Sequence, residues 1–168
     1  MLPILTDLID HNLTVLFCGI NPGLKSAWDG HHFSGRSNRF WKVLHQAGFT
    51  PYQIEPLNDA TILDFGYGLT TAVARATVRA DELTKDEFEN AIEAFKTKMD
   101  LYQPKYIAFL GKPAYAVFSG KKQISWGPQT EDFCGAKVWV LPNPSGLNRG
   151  FTLSDLITNY KQLLIAIQ

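Results

Sequence analysis

The chain has little cysteine, no net charge and no long apolar run, and each lack removes a class of protein. Cys18 and Cys134 are the only thiols in 168 residues. Two thiols so far apart do not make the ligand set of a zinc or iron–sulfur site, nor a disulfide scaffold. Cys18 falls in an apolar stretch, where a free thiol behaves as a small buried hydrophobe. No apolar run approaches the roughly 18 residues of a membrane helix. The start shows no basic segment leading into the apolar run of an export signal. The expected compartment is therefore the cytoplasm. Sixteen basic residues balance sixteen acidic ones, which speaks against binding driven by bulk attraction to a polyanion. The dinucleotide fingerprint, the phosphate-loop lysine and the Gly-x-Ser-x-Gly elbow are all missing.

The distribution of charge says more than its sum. Between Asn21 and Thr50, Lys25, Arg36, Arg39 and Lys42 stand against Asp29 alone, whereas acids gather between Asp81 and Asp100. The acidic run fits the solvated face of a helix. The basic cluster adjoins an unusual loop, a placement suited to phosphate.

Apolar stretches and helical stripes alternate along the chain, which predicts an α/β fold. The expected form is a three-layer α/β/α sandwich around a central, mostly parallel sheet, in one domain over residues 1–168. Strands are expected at Leu13–Cys18, Tyr67–Thr70, Tyr106–Leu110 and Lys137–Leu141. A long loop should follow the first strand. Phe40, Val43, Leu44 and Ala47 then stripe a short helix that Gly48 ends, and Asn58 is placed to cap another through Leu63. Thr84 with Glu87 forms a capping-box pattern ahead of the stripe from Phe88 to Tyr102, which Pro104 stops. A short helix through Phe118 and a final one striped from Leu153 to Ile167 complete the pattern.

Two loops stand out. Gly19-Ile20-Asn21-Pro22-Gly23 follows the first strand and Asn143-Pro144-Ser145-Gly146-Leu147-Asn148-Arg149 follows the last. Loops at the carboxyl ends of strands are where open α/β sheets build ligand sites. Taken alone, Asn21 is equally a left-handed turn residue, and Leu147 a leucine packed under its loop. His31 and His32 are adjacent and so point different ways. That makes a poor metal pair, and surface or packing roles are expected for both.

The pairing of the loops, with His31-His32-Phe33, Asn38-Arg39-Phe40-Trp41-Lys42, Gly68-Leu69-Thr70 and Leu110-Gly111-Lys112-Pro113-Ala114-Tyr115 between them, changes the reading. Over nearly its full length the sequence resembles the mismatch-specific uracil/thymine DNA glycosylases, a branch of the uracil-DNA glycosylase superfamily. The resemblance implies base-excision repair: hydrolysis of the N-glycosidic bond of uracil, with related damaged pyrimidines and thymine as further candidates, in G·U or G·T mismatched double-stranded DNA after base flipping, leaving an abasic site. It implies that Asn21 positions the hydrolytic water, and that Asn143 replaces the histidine of the main uracil-DNA glycosylases, giving a slower enzyme with looser base choice. Ile20 contributes backbone to the pocket, and the flipped base stacks on Phe33. Ser26 meets the C5 edge of the base, and Thr71 holds a pocket position that varies among relatives. Serine at position 26 favours uracil over thymine, while Gly30-His31-His32 is nearer the thymine-type enzymes, so the resemblance points both ways on thymine. Gly146, Leu147, Asn148 and Arg149 correspond to the loop that wedges into the duplex and reads the widowed guanine. Lys25 and Arg39 are candidate phosphate contacts. No metal or cofactor is implied, the protein is expected to be a monomer, and downstream abasic-site repair enzymes are possible partners. Two other classes stay open at this point: a catalytically weak lesion-binding module and a hydrolase of free nucleosides.

Overall fold

The computed structural model describes residues 3–168. Five strands form one sheet in the order β2-β1-β3-β5-β4. They are β1 (Val15–Gly19), β2 (Tyr67–Thr71), β3 (Tyr106–Leu110), β4 (Gly127–Pro128) and β5 (Lys137–Leu141). β1, β2, β3 and β5 run parallel, and only the short β4 is antiparallel, to β5. The alternation of side chains along each strand splits the core in two. Val15 and Phe17 of β1, with Ala108 and Leu110 of β3 and Trp139 and Leu141 of β5, pack under α2 (Phe40–Gln46) and α5 (Leu153–Ile167). Leu16 and Cys18, with Ile107, Phe109, Val138 and Val140, pack under α3 (Lys85–Tyr102) and α4 (Pro113–Ser119). Helices on both faces are what a parallel sheet of continuous apolar strands requires. The expected α/β/α sandwich is the observed fold.

β1 leads to β2 on one side, and β3 returns on the other side of β1. Strand order therefore reverses between β1 and β3, and the crevice beyond their carboxyl ends is the natural binding place. The loop after β1 opens onto it, and so does the loop after β5, which Tyr160 of α5 anchors by donating its hydroxyl to the Pro142 carbonyl at 2.9 Å.

The capping box of α3 forms as expected. The Glu87 N–H donates to Thr84 Oγ1 at 3.2 Å, and the Thr84 N–H donates to Glu87 Oε2 at 2.9 Å. Three details differ from the expectation. The stretch after β1 is not all loop, because Leu24–Asp29 forms a short helix, α1, which Gly30 ends in a left-handed conformation. Six residues are too few to show a stripe in sequence. The 3₁₀ segment starts earlier than expected and runs Pro56–Phe65, entered through Pro56; it is kinked at Asn58 (φ −108°, ψ 28°), where two short helices meet, so Asn58 heads the second of them. β1 starts at Val15, two residues later than expected, although the carbonyls of Leu13 and Thr14 already accept from the N–H groups of Lys105 and Tyr106.

The outer edge of β2 does not face solvent bare. Leu8 and Leu69 exchange N–H···O bonds of 2.9 and 2.8 Å, laying the N-terminal segment along it. Asp7 fastens that segment, accepting from Thr70 Oγ1 and pairing with Lys98. A covered edge removes a template for strand addition. The cover fits because residue 68 is glycine. A Cβ there would lie 2.5 Å from Leu13 Cδ1 and 2.6 Å from the Leu8 carbonyl oxygen. Gly68→Ala is expected to lower stability by about 1–3 kcal/mol, the usual cost of overpacking, as read from urea unfolding. A variant of unchanged stability would show that the segment along β2 yields freely.

Candidate active site

A cavity of about 360 Å³ opens beyond the ends of β1 and β2, at the lower end of the range for small-molecule sites. Its wall includes Ile20, Asn21, Ser26, Phe33, Thr71, Asn143 and Leu147. These come from both marked loops and from the segment between them.

Asn21 is held by its amino end. Its Nδ2 donates to the Arg75 carbonyl and to Thr77 Oγ1, both at 2.8 Å. Thr77 Oγ1 spends its own proton on the Arg79 carbonyl at 2.7 Å, so it accepts from Asn21. Carbonyl and hydroxyl acceptors together fix which end of the carboxamide is nitrogen. Oδ1 is left as an acceptor on a wall of the cavity. The 72–77 segment keeps this geometry by running beside the loop, with N–H bonds from Ala72, Val73 and Thr77 to the carbonyls of Gly19, Ile20 and Pro22. Arg75 is tied to α3 by Glu87 at 2.6 and 3.1 Å. That guanidinium, with the Thr84 N–H, holds the Glu87 carboxyl down to about 2.

Asn143 is held by the opposite end. Its Oδ1 accepts from the Ser145 N–H at 2.9 Å, an Asx turn, while its carbonyl accepts from Asn148 Nδ2 at 2.9 Å. The Asn143 amino group is thereby left as a donor on the cavity wall. Beyond it, Leu147 is 63% exposed, which removes the reading of a leucine packed under its loop. It stands between the cavity and a second crevice, because Asn143, Ser145 and Leu147 line both. Gly146 seats the loop against the 37–39 segment: a Cβ there would come within 2.5 Å of Ser37 Cβ and 2.8 Å of the Ser37 carbonyl oxygen.

Phe33 forms another wall. It stacks on Phe40 with centroids 4.2 Å apart and planes 21° from parallel. Its backbone is left-handed, φ 53°, a conformation that costs a non-glycine residue of order 1–2 kcal/mol. Hydrogen bonds on both sides hold it there. The His32 N–H donates to Asp59 Oδ2 at 2.8 Å, Trp41 Nε1 donates to the His32 carbonyl at 2.9 Å, and the Ser34 N–H donates to Ser26 Oγ at 3.1 Å. Strain so braced is typical of functional positions. Ser26 is therefore buried on α1 with its hydroxyl already engaged. Thr71 ends β2 beside Gly19 and Phe33. His32 is buried and bonds the Thr6 carbonyl through Nε2 at 2.8 Å, and His31 Nδ1 lies 3.2 Å from Asp59 Oδ1. Both histidines serve the Phe33 loop.

The expected phosphate contacts part company. Lys25 is exposed on α1 and pairs with Asp29 at 2.8 Å, an exchangeable surface bridge. Arg149 is exposed. Arg39 must be corrected: its guanidinium is not presented to solvent for a phosphate but donates to the carbonyls of Pro144, Ser145, Asn148 and Phe151. Thr77 and Asp59 were not foreseen at all. Each acts on a residue far away in sequence, and no local pattern marks such a partner.

Comparison with known proteins adds the following. The sequence profile of the Uracil DNA glycosylase superfamily matches residues 6–165. The solution NMR structure of a candidate uracil DNA glycosylase from Methanosarcina acetivorans superposes with a TM-score of 0.64 at 20% identity, covering 96% of this chain and 98% of that one. At that identity the structural likeness concerns the fold.

The Phe33 loop should respond to acid through His32. Burial holds this imidazole below its ordinary value of 6.5, so the unfolded chain takes up the proton more readily than the folded one. Its contribution to stability is thus present above the unfolded value and lost as pH falls through the folded one. Thermal unfolding followed from about pH 7.5 to about pH 5 should show stability declining, and His32→Gln should flatten that decline. An equal decline in the variant would remove His32 as the cause.

Proposed function

The chain belongs to the uracil DNA glycosylase superfamily, and from that footing we propose that it excises uracil, and related damaged pyrimidines, from double-stranded DNA with preference for uracil opposite guanine. The observation that carries this reading is the opposed anchoring of Asn21 and Asn143 across one cavity. A base inside a duplex cannot reach such a cavity, so the nucleotide must be flipped out, at a cost of a few kcal/mol. Phe33 offers the extruded base a flat face. The amino group of Asn143 offers a donor to a pyrimidine carbonyl, and Asn21 Oδ1 an acceptor for one water at the sugar.

The step is a displacement at C1′. The water oxygen bonds C1′ while the bond from C1′ to N1 breaks and its electron pair leaves with uracil. The water's second proton passes to solvent or to the departing base, and an abasic site remains. Ordinary glycosidases use two carboxylates for this work. An amide is no base at neutral pH, so Asn21 contributes orientation, and Asn143 with nearby backbone N–H groups favours the charge developing on the base. Leu147, exposed on its ridge, fills the space the nucleotide leaves. The Gly146 backbone faces the partner base and favours guanine there, while the Asn148 backbone, expected to share that role, is spent inside the loop: its N–H donates to the Ser145 carbonyl and its carbonyl accepts from Arg39. Arg149, and Lys25 by exchanging its Asp29 partner, can meet phosphates.

The test is single-turnover release of uracil from duplexes holding one G·U or one A·U pair. We expect faster release from G·U, and Asn21→Ala should slow it by about 10²–10³-fold, the scale of one preorganised polar group, while duplex binding persists. Preferential binding of G·U over G·C without any base release would replace this reading with that of a lesion-binding module. Faster release from free deoxyuridine than from DNA would replace it with that of a nucleoside hydrolase.

A further inference from the structure

Arg39 is the residue that joins the two halves of the site. It stands just before α2, between Asn38, which lines the cavity, and Phe40, on which Phe33 stacks. Its backbone N–H donates to the Pro144 carbonyl at 3.0 Å. Its side chain continues the same pattern: Nε to the Pro144 carbonyl at 3.3 Å, Nη2 to Ser145 and Asn148 at 2.9 Å each, and Nη1 to Phe151 at 2.7 Å. One planar cation thus gathers four carbonyls from a stretch of eight residues that has no helix or strand of its own.

The geometry points to Arg39 as the positioning residue of the wedge: its guanidinium holds the 144–151 loop in the one shape that presents Leu147 to the duplex. The proposal rests on the reading of Leu147 as the wedge. An apolar side chain on a slack loop turns back onto the protein, because water favours its burial and free backbone has conformers to spare. With the loop carbonyls drawn inward onto a cation, Leu147 remains outside. A fork of five N–H groups in one plane can span four carbonyls, whereas the ammonium of lysine has three donors at one point. Gly146 against Ser37 closes the seat from the other side. The same short segment therefore supports the base platform through Phe40 and the wedge through Arg39, so pocket and wedge are set relative to each other before DNA arrives.

The experiment combines Arg39→Lys with Leu147→Ala in a double-mutant cycle, read by single-turnover excision from a G·U duplex and by amide hydrogen exchange. Arg39→Lys should slow excision about tenfold or more with Leu147 present, on the scale of a lost positioning contact. It should cost little once Leu147 is alanine. Exchange at residues 146–150 should rise while the sheet core stays protected. A penalty undiminished in the Leu147→Ala background, or a rate unaffected by Arg39→Lys, would overturn the proposal. General loss of core protection in Arg39→Lys would overturn it too, by making Arg39 a residue of global stability. If the parent protein releases no uracil from any duplex, the glycosylase reading fails by itself. The clamp is then judged on exchange alone, where an unchanged 146–150 loop would end it.

Discussion

A carboxamide has a donor end and an acceptor end, and the site depends on which end is tied down. Asn21 is anchored through its amino group, which leaves an oxygen at the cavity; Asn143 is anchored through its oxygen, which leaves an amino group. Two identical side chains thereby acquire opposite chemistry facing one space. Neither anchor is strong. A neutral hydrogen bond contributes about 1 kcal/mol net, but turning either amide over would set donor against donor or acceptor against acceptor. That penalty, rather than the bond energy, keeps the polarity of the site.

The parallel sheet makes this arrangement possible. β1 and β5 are separated by β3, so the loops at their carboxyl ends stand two strand spacings apart, roughly 10 Å. A group the size of a nucleoside fits between them. The loops are held partly from outside their own sequence, by the 72–77 segment beside Asn21, Asp59 behind the Phe33 loop and Arg39 beneath the 144–151 loop, and partly from within, where Ser145 and Asn148 fix Asn143. The rigid layers are apolar, and the polar residues around the cavity are spent on orientation.

This division explains what the sequence reveals and what it conceals. Strands such as Tyr106–Leu110 and the capping box at Thr84 and Glu87 are legible because the causes lie within a few residues. The two Asn-Pro loops are legible because glycine and proline mark unusual backbone. The family likeness identified Asn21, Phe33 and Leu147 as site residues, and the structure brings them to one cavity. Arg39 misled because a cation beside a loop looks like a phosphate contact, and nothing local reveals four carbonyls converging on it. Thr77 and Asp59 were silent for the same reason, since their partners lie far along the chain. Asn58 was legible only in part: it marks the kink that heads the second short helix, while Pro56 starts another turn before it.

Among the described residues no carboxylate lines the cavity, and the imidazole that does, His32, is buried and bonded to the Thr6 carbonyl, so the proposed chemistry draws little on an acid or base tuned to neutral pH. What remains is geometry, and geometry is only as good as its support. On the proposed function, reaction rate then depends on how little the water, base and wedge positions wander. A side chain that braces a loop therefore matters nearly as much as one that touches substrate. This accounts for a strained Phe33 braced on both sides and a guanidinium consumed by four carbonyls. It also accounts for zero net charge in a protein that handles DNA. If affinity rests on a flipped base and an inserted leucine, as proposed, a few local cations suffice to align the backbone, and bulk attraction would only strengthen binding to undamaged duplex.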